Sequence, residues 1–405
     1  MLRFYFFLCF VCSSCILSAR VHYVNYAATG LNNGTSWRNA FKSPLDALKV
    51  ATDGDEIWIA RGTYNAHRGY KQYHFYLKSG VSLYGGFLGS EQFLQERDPV
   101  KYRTILKSYV VTGQSGHVWD TVYQNVLYCE DTNENTAIDG FIITKGEATA
   151  RLAAPEQCVD SVRVGCNGGG IYIYSSALFH PTSLQIRNCA FIDNRAQYGG
   201  GISANYSDGT GRLIIKNCRF ERNWNNDVGG GISVATGYQG APYVEIDSCL
   251  FRGNTGWVGS GLSLYNLSPN GRMVVRNCLF EENQASITGA GGQVANWSGR
   301  GREQIIVENC LFYRNIGYSG MYPKTGHGGG LFVVGSTIRN CIFDRNLAAN
   351  GGAISGGSYN IFNNIISNNQ AYINGGAFAG FDLLNIVGNT IVNNTARGMG
   401  GVFTN

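Results

Sequence analysis

Only 15% of the 405 residues are charged, only seven are proline, and past the first twenty residues no apolar run is long enough to cross a bilayer. A transmembrane span in the mature chain is therefore not expected. Charge is nearly balanced, with 32 Lys and Arg against 27 Asp and Glu, and the residual +5 is spread along the length. The densest basic patch, SGRGRE at 298–303, is too short for an electrostatic footprint on nucleic acid, so that class of partner is excluded. What is abundant is glycine (55 residues) and tyrosine (24). The glycines recur at fixed intervals and not in a low-complexity tract, which marks a folded, turn-rich chain.

The amino terminus reads separately. Arg3, the run FYFFLCFVCSSCIL and the small residues Ser18 and Ala19 have the layout of a cleavable secretory leader over 1–19. Cys9, Cys12 and Cys15 leave with it, and nine of the twelve cysteines remain, an odd number that leaves at least one thiol unpaired in a monomer. Cys158 and Cys166 lie in an insertion, 147–167, where a small-loop disulfide between them is expected.

From residue 187 the sequence repeats. RNCAFIDNRAQYGGGI at 187 is followed by KNCRFERNWNNDVGGGI at 216, DSCLFRGNTGWVGSGL at 247 and RNCLFEENQASITGAGGQV at 276. Further copies begin at 308 and 339, and degenerate ones at 362 and 387. A self-similar period of this length marks units that bury their apolar faces only against neighbours. Short runs of alternating apolar residues predict three strands per unit, and three strands per unit of this length predict one coil of a right-handed single-stranded parallel β-helix, an all-β solenoid. Coils stacked ~4.8 Å apart turn every repeat position into a column along the axis.

Read by column, Phe191, Phe220, Phe251, Phe280, Phe312 and Phe343 point inward as a stacked core. The asparagine before each cysteine (Asn188, Asn217, Asn277, Asn309, Asn340, with Ser248 substituting) is expected to turn its amide inward as a ladder between coils. The glycine runs, such as 199–201 and 229–231, allow positive φ where the chain re-enters a strand, and their recurrence in every coil rules out a phosphate loop. The cysteine column, Cys189 to Cys341, is expected to be a stack of buried free thiols, because parallel side chains hold Cβ atoms farther apart than a disulfide favours. Outward columns alternate in charge, as in Glu221, Arg252 and Glu281. Ahead of the repeats, SPLDALKVA at 43–51 has the cap, first-turn proline and apolar face of a short amphipathic helix, a lid for the open end of the solenoid. The first strand is expected within DEIWIARGTY, and Phe141 stands where later coils carry cysteine. The cap and first coils span 20–110 and the remaining coils 111–405.

From about residue 22 onward, YVNYAATGLNNGTSWRNAFKSPLDALKVATDGDEIWIARGTY and LKSGVSLYGGFLGSEQFLQERDPVKYRTIL resemble the opening of secreted bacterial β-helix proteins of the pectin-lyase-like class. The repeats are similar to chlamydial polymorphic outer membrane proteins, marked by Phe-x-x-Asn, present six times here, and by Gly-Gly-Ala-aliphatic, met strictly only at Gly351-Gly352-Ala353-Ile354. The resemblance implies a β-helix displayed outside the cell, outer membrane-associated or secreted, that serves as an adhesin. It also implies a downstream barrel or anchor. The sequence instead stops inside a repeat at GGVFTN, which departs from autotransport, so truncation or loss of a downstream domain is expected.

Three function classes follow. For a binding surface, the segment between the repeat asparagine and the next glycines often carries an aromatic, Tyr198, Trp224, Trp257, Tyr318, Tyr322 and Tyr372, and stacked coils could line these along one edge to meet a polysaccharide or a cell-surface glycoprotein. For an enzyme, the pectin-lyase-like class includes lyases and hydrolases that work with paired carboxylates or with calcium and a base. Gly326-His327-Gly328 resembles one polygalacturonase motif, but the accompanying motifs are missing, and Asp193, Glu221 and Asp227 are acid candidates on adjacent coils. No catalytic set is assigned, and no metal, cofactor or oligomer is expected. The third class is a structural spacer. Sequons at Asn33, Asn205, Asn266, Asn296 and Asn393 matter only where the host glycosylates secreted proteins.

Overall fold

The computed structural model describes residues 19–66, 74–108, 125–149, 166–175, 181–299, 304–317, 325–357, 360–380 and 385–404. Residues 1–18 of the expected leader, Cys158, Tyr318 and Tyr322 lie outside the described residues. Every strand pairing is parallel, and the strands fall into four ladders of 12, 11, 9 and 11. One coil visits the four faces in turn, as in Leu184–Arg187 (face A), Ala190–Ile192 (face B), Arg195–Tyr198 (face C) and Ile202–Tyr206 (face D). The chain is a right-handed parallel β-helix.

Four strands per coil correct the expected three. The extra strand is face C, the segment between Phe-x-x-Asn and the glycines. Its inward positions hold small residues, Ala196, Ala285, Ala348 and Ala371, all buried. Alternation of alanine with polar residues carries almost no apolar signal, so the period of two is invisible there.

The Phe column is as expected. Phe191, Phe220, Phe251, Phe280, Phe312 and Phe343 are fully buried, with neighbouring ring centroids 4.6–4.9 Å apart and planes within 3–9° of each other. Coil-to-coil register keeps like over like, Phe191 pairing with Phe220 and Phe220 with Phe251. Tyr64, Leu106 and Ile143 continue the column towards the amino terminus, and Ile366 and Ile391 towards the other end.

The asparagine assignment is reversed. Asn188, Asn217, Asn277, Asn309 and Asn340 are exposed, at φ 51–55°, and form the left-handed corner between faces A and B. Asparagine tolerates that conformation because its short side chain bonds locally, whereas most residues pay for the crowded Cβ. The buried ladder is made by the other asparagine of the motif, the one three residues after Phe. Asn194, Asn223, Asn254, Asn283, Asn315 and Asn346 are fully buried. From Asn223 onward each Oδ1 accepts from the backbone N–H and the Nδ2 of the asparagine in the coil before, at 3.0–3.1 Å for Asn223 and 3.0 Å for Asn254, while Asn194 Oδ1 accepts from the Gly146 N–H at 3.0 Å. Each Nδ2 also donates to a backbone carbonyl, as Asn254 does to Phe220 at 2.8 Å.

The six column cysteines are free and buried, each Sγ donating to the carbonyl two residues earlier, as Cys278 does to Arg276 at 3.0 Å. Burial pushes the thiols of Cys218, Cys278 and Cys310 well above the ordinary range. Asn364 and Asn389 continue the column as an amide ladder, with Asn364 Oδ1 accepting from the N–H of Cys341 at 2.7 Å. Cys166 is disulfide-bonded.

At the amino-terminal end, Val21–Val24 pairs in parallel with Glu56–Ala60, so one strand precedes the one expected first. Helix α1, Pro44–Val50, is capped by Ser43, whose Oγ accepts from the N–H of Leu45 at 3.2 Å. Leu45, Leu48 and Ala51 are buried against the first coils, closing the core. Glu147–Ala148, at the start of the expected insertion, is a strand of face C pairing with Arg195 and Ala196, while 150–165 lies outside the described residues.

Candidate binding groove

From Ala190 onward face B has three-residue strands that run out, in, out, with the stacked Phe, and Ile366 and Ile391 in the last two coils, as the inward residue. The outward residue before Phe is aliphatic in consecutive coils, because Leu250, Leu279, Leu311, Ile342 and Ile365 pair in register as one stripe. The leucines are half-buried, and Ile342 and Ile365 are 40% and 46% exposed. The left-handed corners raise a rim beside this stripe, with one carboxamide or hydroxyl per coil from Asn217, Ser248, Asn277, Asn309 and Asn340. Floor and rim enclose a shallow groove of about 630 Å³, at whose base the column thiols are just reached.

The groove continues towards the amino terminus. A second cleft of about 790 Å³ shares Asn217 and Arg219 with it and is walled by the segment Leu94 to Arg103. That segment rests on the corner between faces A and B. Arg97 donates to the carbonyls of Gly85 and Asp139 at 3.2 and 3.3 Å and pairs with the Asp139 carboxylate at 2.8 Å. The corner residue of that coil is Gly140, φ 84°, where a Cβ would lie 2.7 Å from the Arg97 guanidinium and 2.9 Å from Pro99.

The charged columns flanking the stripe are internally neutralised. On face B, Arg252 pairs with Glu281 at 2.7 Å, and on face A, Arg276 meets Asp247 at 3.0 Å and Arg339 meets Glu308 at 2.6 Å. Partial burial opposes ionisation of Glu245 and Asp247, but bonds from Lys216, Arg276 and Asn277 outweigh it and hold both below the usual carboxylate range.

The four members of the expected aromatic row among the described residues do not assemble as one platform. Tyr198, Trp224, Trp257 and Tyr372 all stand on face C, but in different registers. Trp224 pairs with Arg195 and Thr255, while Tyr198 pairs with Val228, and Trp257 and Tyr372 sit at irregularities of the ladder. Arginine covers two of the rings, Arg195 lying 4.8 Å from Trp224 and Arg397 4.8 Å from Tyr372. Trp257 is 51% exposed.

Of the acid candidates, Asp193 and Glu221 meet on neighbouring coils, the Asp193 N–H donating to the Glu221 carbonyl at 3.2 Å and Arg222 lying against both carboxylates, so each is neutralised by arginine. Asp193 accepts from Arg222 at 2.9 Å, Glu221 pairs with Arg219 at 3.1 Å, and Asp227 lies on face C. His327 pairs in register with Thr288 and Asn350, and burial pushes its imidazole down. Among the described residues, no group of three or more His, Cys, Asp or Glu is placed to hold a metal ion, and no helix is long and apolar enough to cross a membrane. Two sequons are structural: Asn266 is fully buried, and its Nδ2 donates to Asn296 Oδ1 at 3.0 Å.

The leucine stripe escapes a sequence reading that looks for aromatics. The available signal is Cys-Leu-Phe, where three successive residues are apolar although a three-residue strand can bury only alternate ones.

The family model for the right-handed beta helix region matches residues 127–336. Among curated proteins, the metabotropic glutamate receptor-like protein R of Dictyostelium discoideum is 29% identical over 170 residues, covering 36% of this chain. The chain spans 10% of the length of that relative. Among solved structures, pectate lyase Pel9A is 14% identical with a TM-score of 0.39, over 92% of this chain and 78% of its own. A rhamnogalacturonan lyase is 14% identical with a TM-score of 0.36, over 92% and 84%. The GH136 lacto-N-biosidase from Eubacterium ramulus is 9% identical with a TM-score of 0.42, over 92% and 68%.

Proposed function

We propose, from the premise that this chain belongs to the right-handed β-helix family, that it is a rod exported from the cell which binds an adhesion partner along face B. The observation that carries this is the 630 Å³ groove, an aliphatic floor rimmed by carboxamides over several consecutive coils. An outward aliphatic residue gains little for the core, and each half-buried leucine still forgoes roughly half of the ~1.5–3 kcal/mol that full burial gives. A docked partner recovers that term. Export rests on the leader-like 1–19 and on the disulfide at Cys166, a bond suited to an oxidising compartment. The column thiols are compatible with such a compartment because they are buried away from oxidants and exchange partners.

The test compares the full chain with Leu279→Arg/Leu311→Arg and with Trp224→Ala/Trp257→Ala on arrays of immobilised glycans and matrix glycoproteins. Binding should fall at least tenfold in the leucine variant and persist in the tryptophan variant, with unchanged melting of both. Binding that depends on the tryptophans alone moves the site to face C. Release of unsaturated or reducing sugar ends from a polysaccharide by the wild-type chain makes it an enzyme.

A further inference from the structure

We infer that the occupant of the face B groove is an extended polypeptide segment of a partner, an inference that rests on face B being the binding face. The chain's own residues 94–103 are the internal precedent. They lie across the first part of the same corner, with Pro99 against Gly86 and Gly140, the Asp98 N–H donating to the Gly86 carbonyl at 2.8 Å, and Arg97 capping two further carbonyls. The cleft they wall runs into the open groove through Asn217 and Arg219. A peptide segment is thus already accommodated at one end of a trough whose remainder that segment does not reach.

The open part differs from the covered part in a way that shifts the occupant sideways. Where 97–99 crosses, the corner is glycine and the backbones come close. Further along, the corners carry Asn217, Ser248, Asn277, Asn309 and Asn340, whose side chains hold a segment off the corner and over the leucines. The corner backbone N–H groups are already bonded to the next coil, as Asn277 is to the Glu308 carbonyl at 3.2 Å. Side-chain groups are what remains: Asn277 Nδ2 and Ser248 Oγ each donate once to Asp247 at 2.9 Å, which leaves the Asn277 oxygen and second amide hydrogen, and the carboxamides of Asn217, Asn309 and Asn340 donate and accept as a peptide unit does.

The floor decides between peptide and sugar. An extended peptide alternates its side chains, so it can press aliphatic residues onto Leu250, Leu279 and Leu311 while its backbone turns to the rim. A saccharide laid on the same leucines can turn only its small axial C–H patches to them and has no row of aliphatic side chains to fill the stripe, so it recovers less of the burial. From Arg219 to Ile342 the groove covers four coil spacings, ~19 Å, the length of about six extended residues.

Phage-displayed linear 12-residue peptides selected on the full chain and counter-selected on Leu279→Arg/Leu311→Arg test this. The expected result is enriched peptides with aliphatic residues at alternate positions, whose affinity falls at least tenfold in the double variant and in Leu250→Arg, with melting unchanged. If glycans bind in a leucine-dependent manner and no peptide does, the groove stands as a site and the polypeptide occupant is overturned. If no ligand of either kind depends on the leucines, both readings fall. A concentration-dependent dimer in sedimentation, abolished by Leu279→Arg/Leu311→Arg, assigns the groove to a second copy and overturns a foreign partner.

Discussion

The motif Asn-Cys-x-Phe-x-x-Asn contains two asparagines with opposite environments, and their substitutions should separate cleanly. Asn254 makes four side-chain hydrogen bonds inside the core, so Asn254→Ala strands the Phe220 carbonyl and the Asn223 N–H without partners. A loss of roughly 3 kcal/mol or more is expected in denaturant unfolding, from ~1–3 kcal/mol for each stranded group. Asn277 is exposed and held at φ 55° with one bond to Asp247. Asn277→Ala should cost about 1 kcal/mol for the left-handed backbone, and Asn277→Gly should be nearly neutral. Phe251→Ala opens a gap in the ring stack and should cost about 3–5 kcal/mol. The two asparagines are indistinguishable by letter. What separates them is the turn geometry at the A/B corner, set by how sharply the chain must bend around an inward cysteine, and no periodicity reports that.

At the scale of elements, the amino-terminal lid is fastened by Asp55. Its carboxylate accepts from Arg20 N–H at 3.0 Å, Thr52 N–H at 2.9 Å and Thr52 Oγ1 at 3.1 Å, with His22 Nε2 at 3.1 Å. Burial disfavours the charge, but these bonds outweigh it and lower the pKa from 3.8 to about 2. The folded value lies below the unfolded one, so this stabilisation is fully present above about pH 4 and disappears as pH falls through about 2. It amounts to about 2 kcal/mol. Asp55→Asn should destabilise the lid at pH 7 and flatten the acid limb of a stability-against-pH curve between those values. The lid helix was legible because capping chemistry is local and Ser43-Pro44 announces it. Face C was not, because its inward alanines and outward polar residues produce no contrast. The same blindness hid the leucine stripe, whose outward aliphatics read as ordinary strand core.

For the whole molecule, stability is a sum over coil interfaces, so the ends should open first. The coil at 385–404 exposes Val387, Val392, Val402 and Phe403, whereas the core residues of the coils from Leu213 to Phe343 are dry. Hydrogen exchange should therefore be fastest over 385–404 and slowest in the Phe-stacked coils, and uniform protection along the chain would contradict a solenoid of independent interfaces. The solenoid itself was readable because a column repeats the same letter six times. Register, strand type and the direction of stacking then follow from identity alone, as Phe over Phe confirms.

The four ladders of parallel strands also govern how the rod carries tension. Their amide bonds point along the long axis, so a pull between its two ends loads a dozen or so bonds per coil boundary side by side, and the weakest boundary parts first. A force applied through the two chain termini should instead unwind the spiral one turn after another. In a single-molecule tether that gives a train of small, evenly spaced rips, and an anchored rod of this build would yield gradually under flow and not snap.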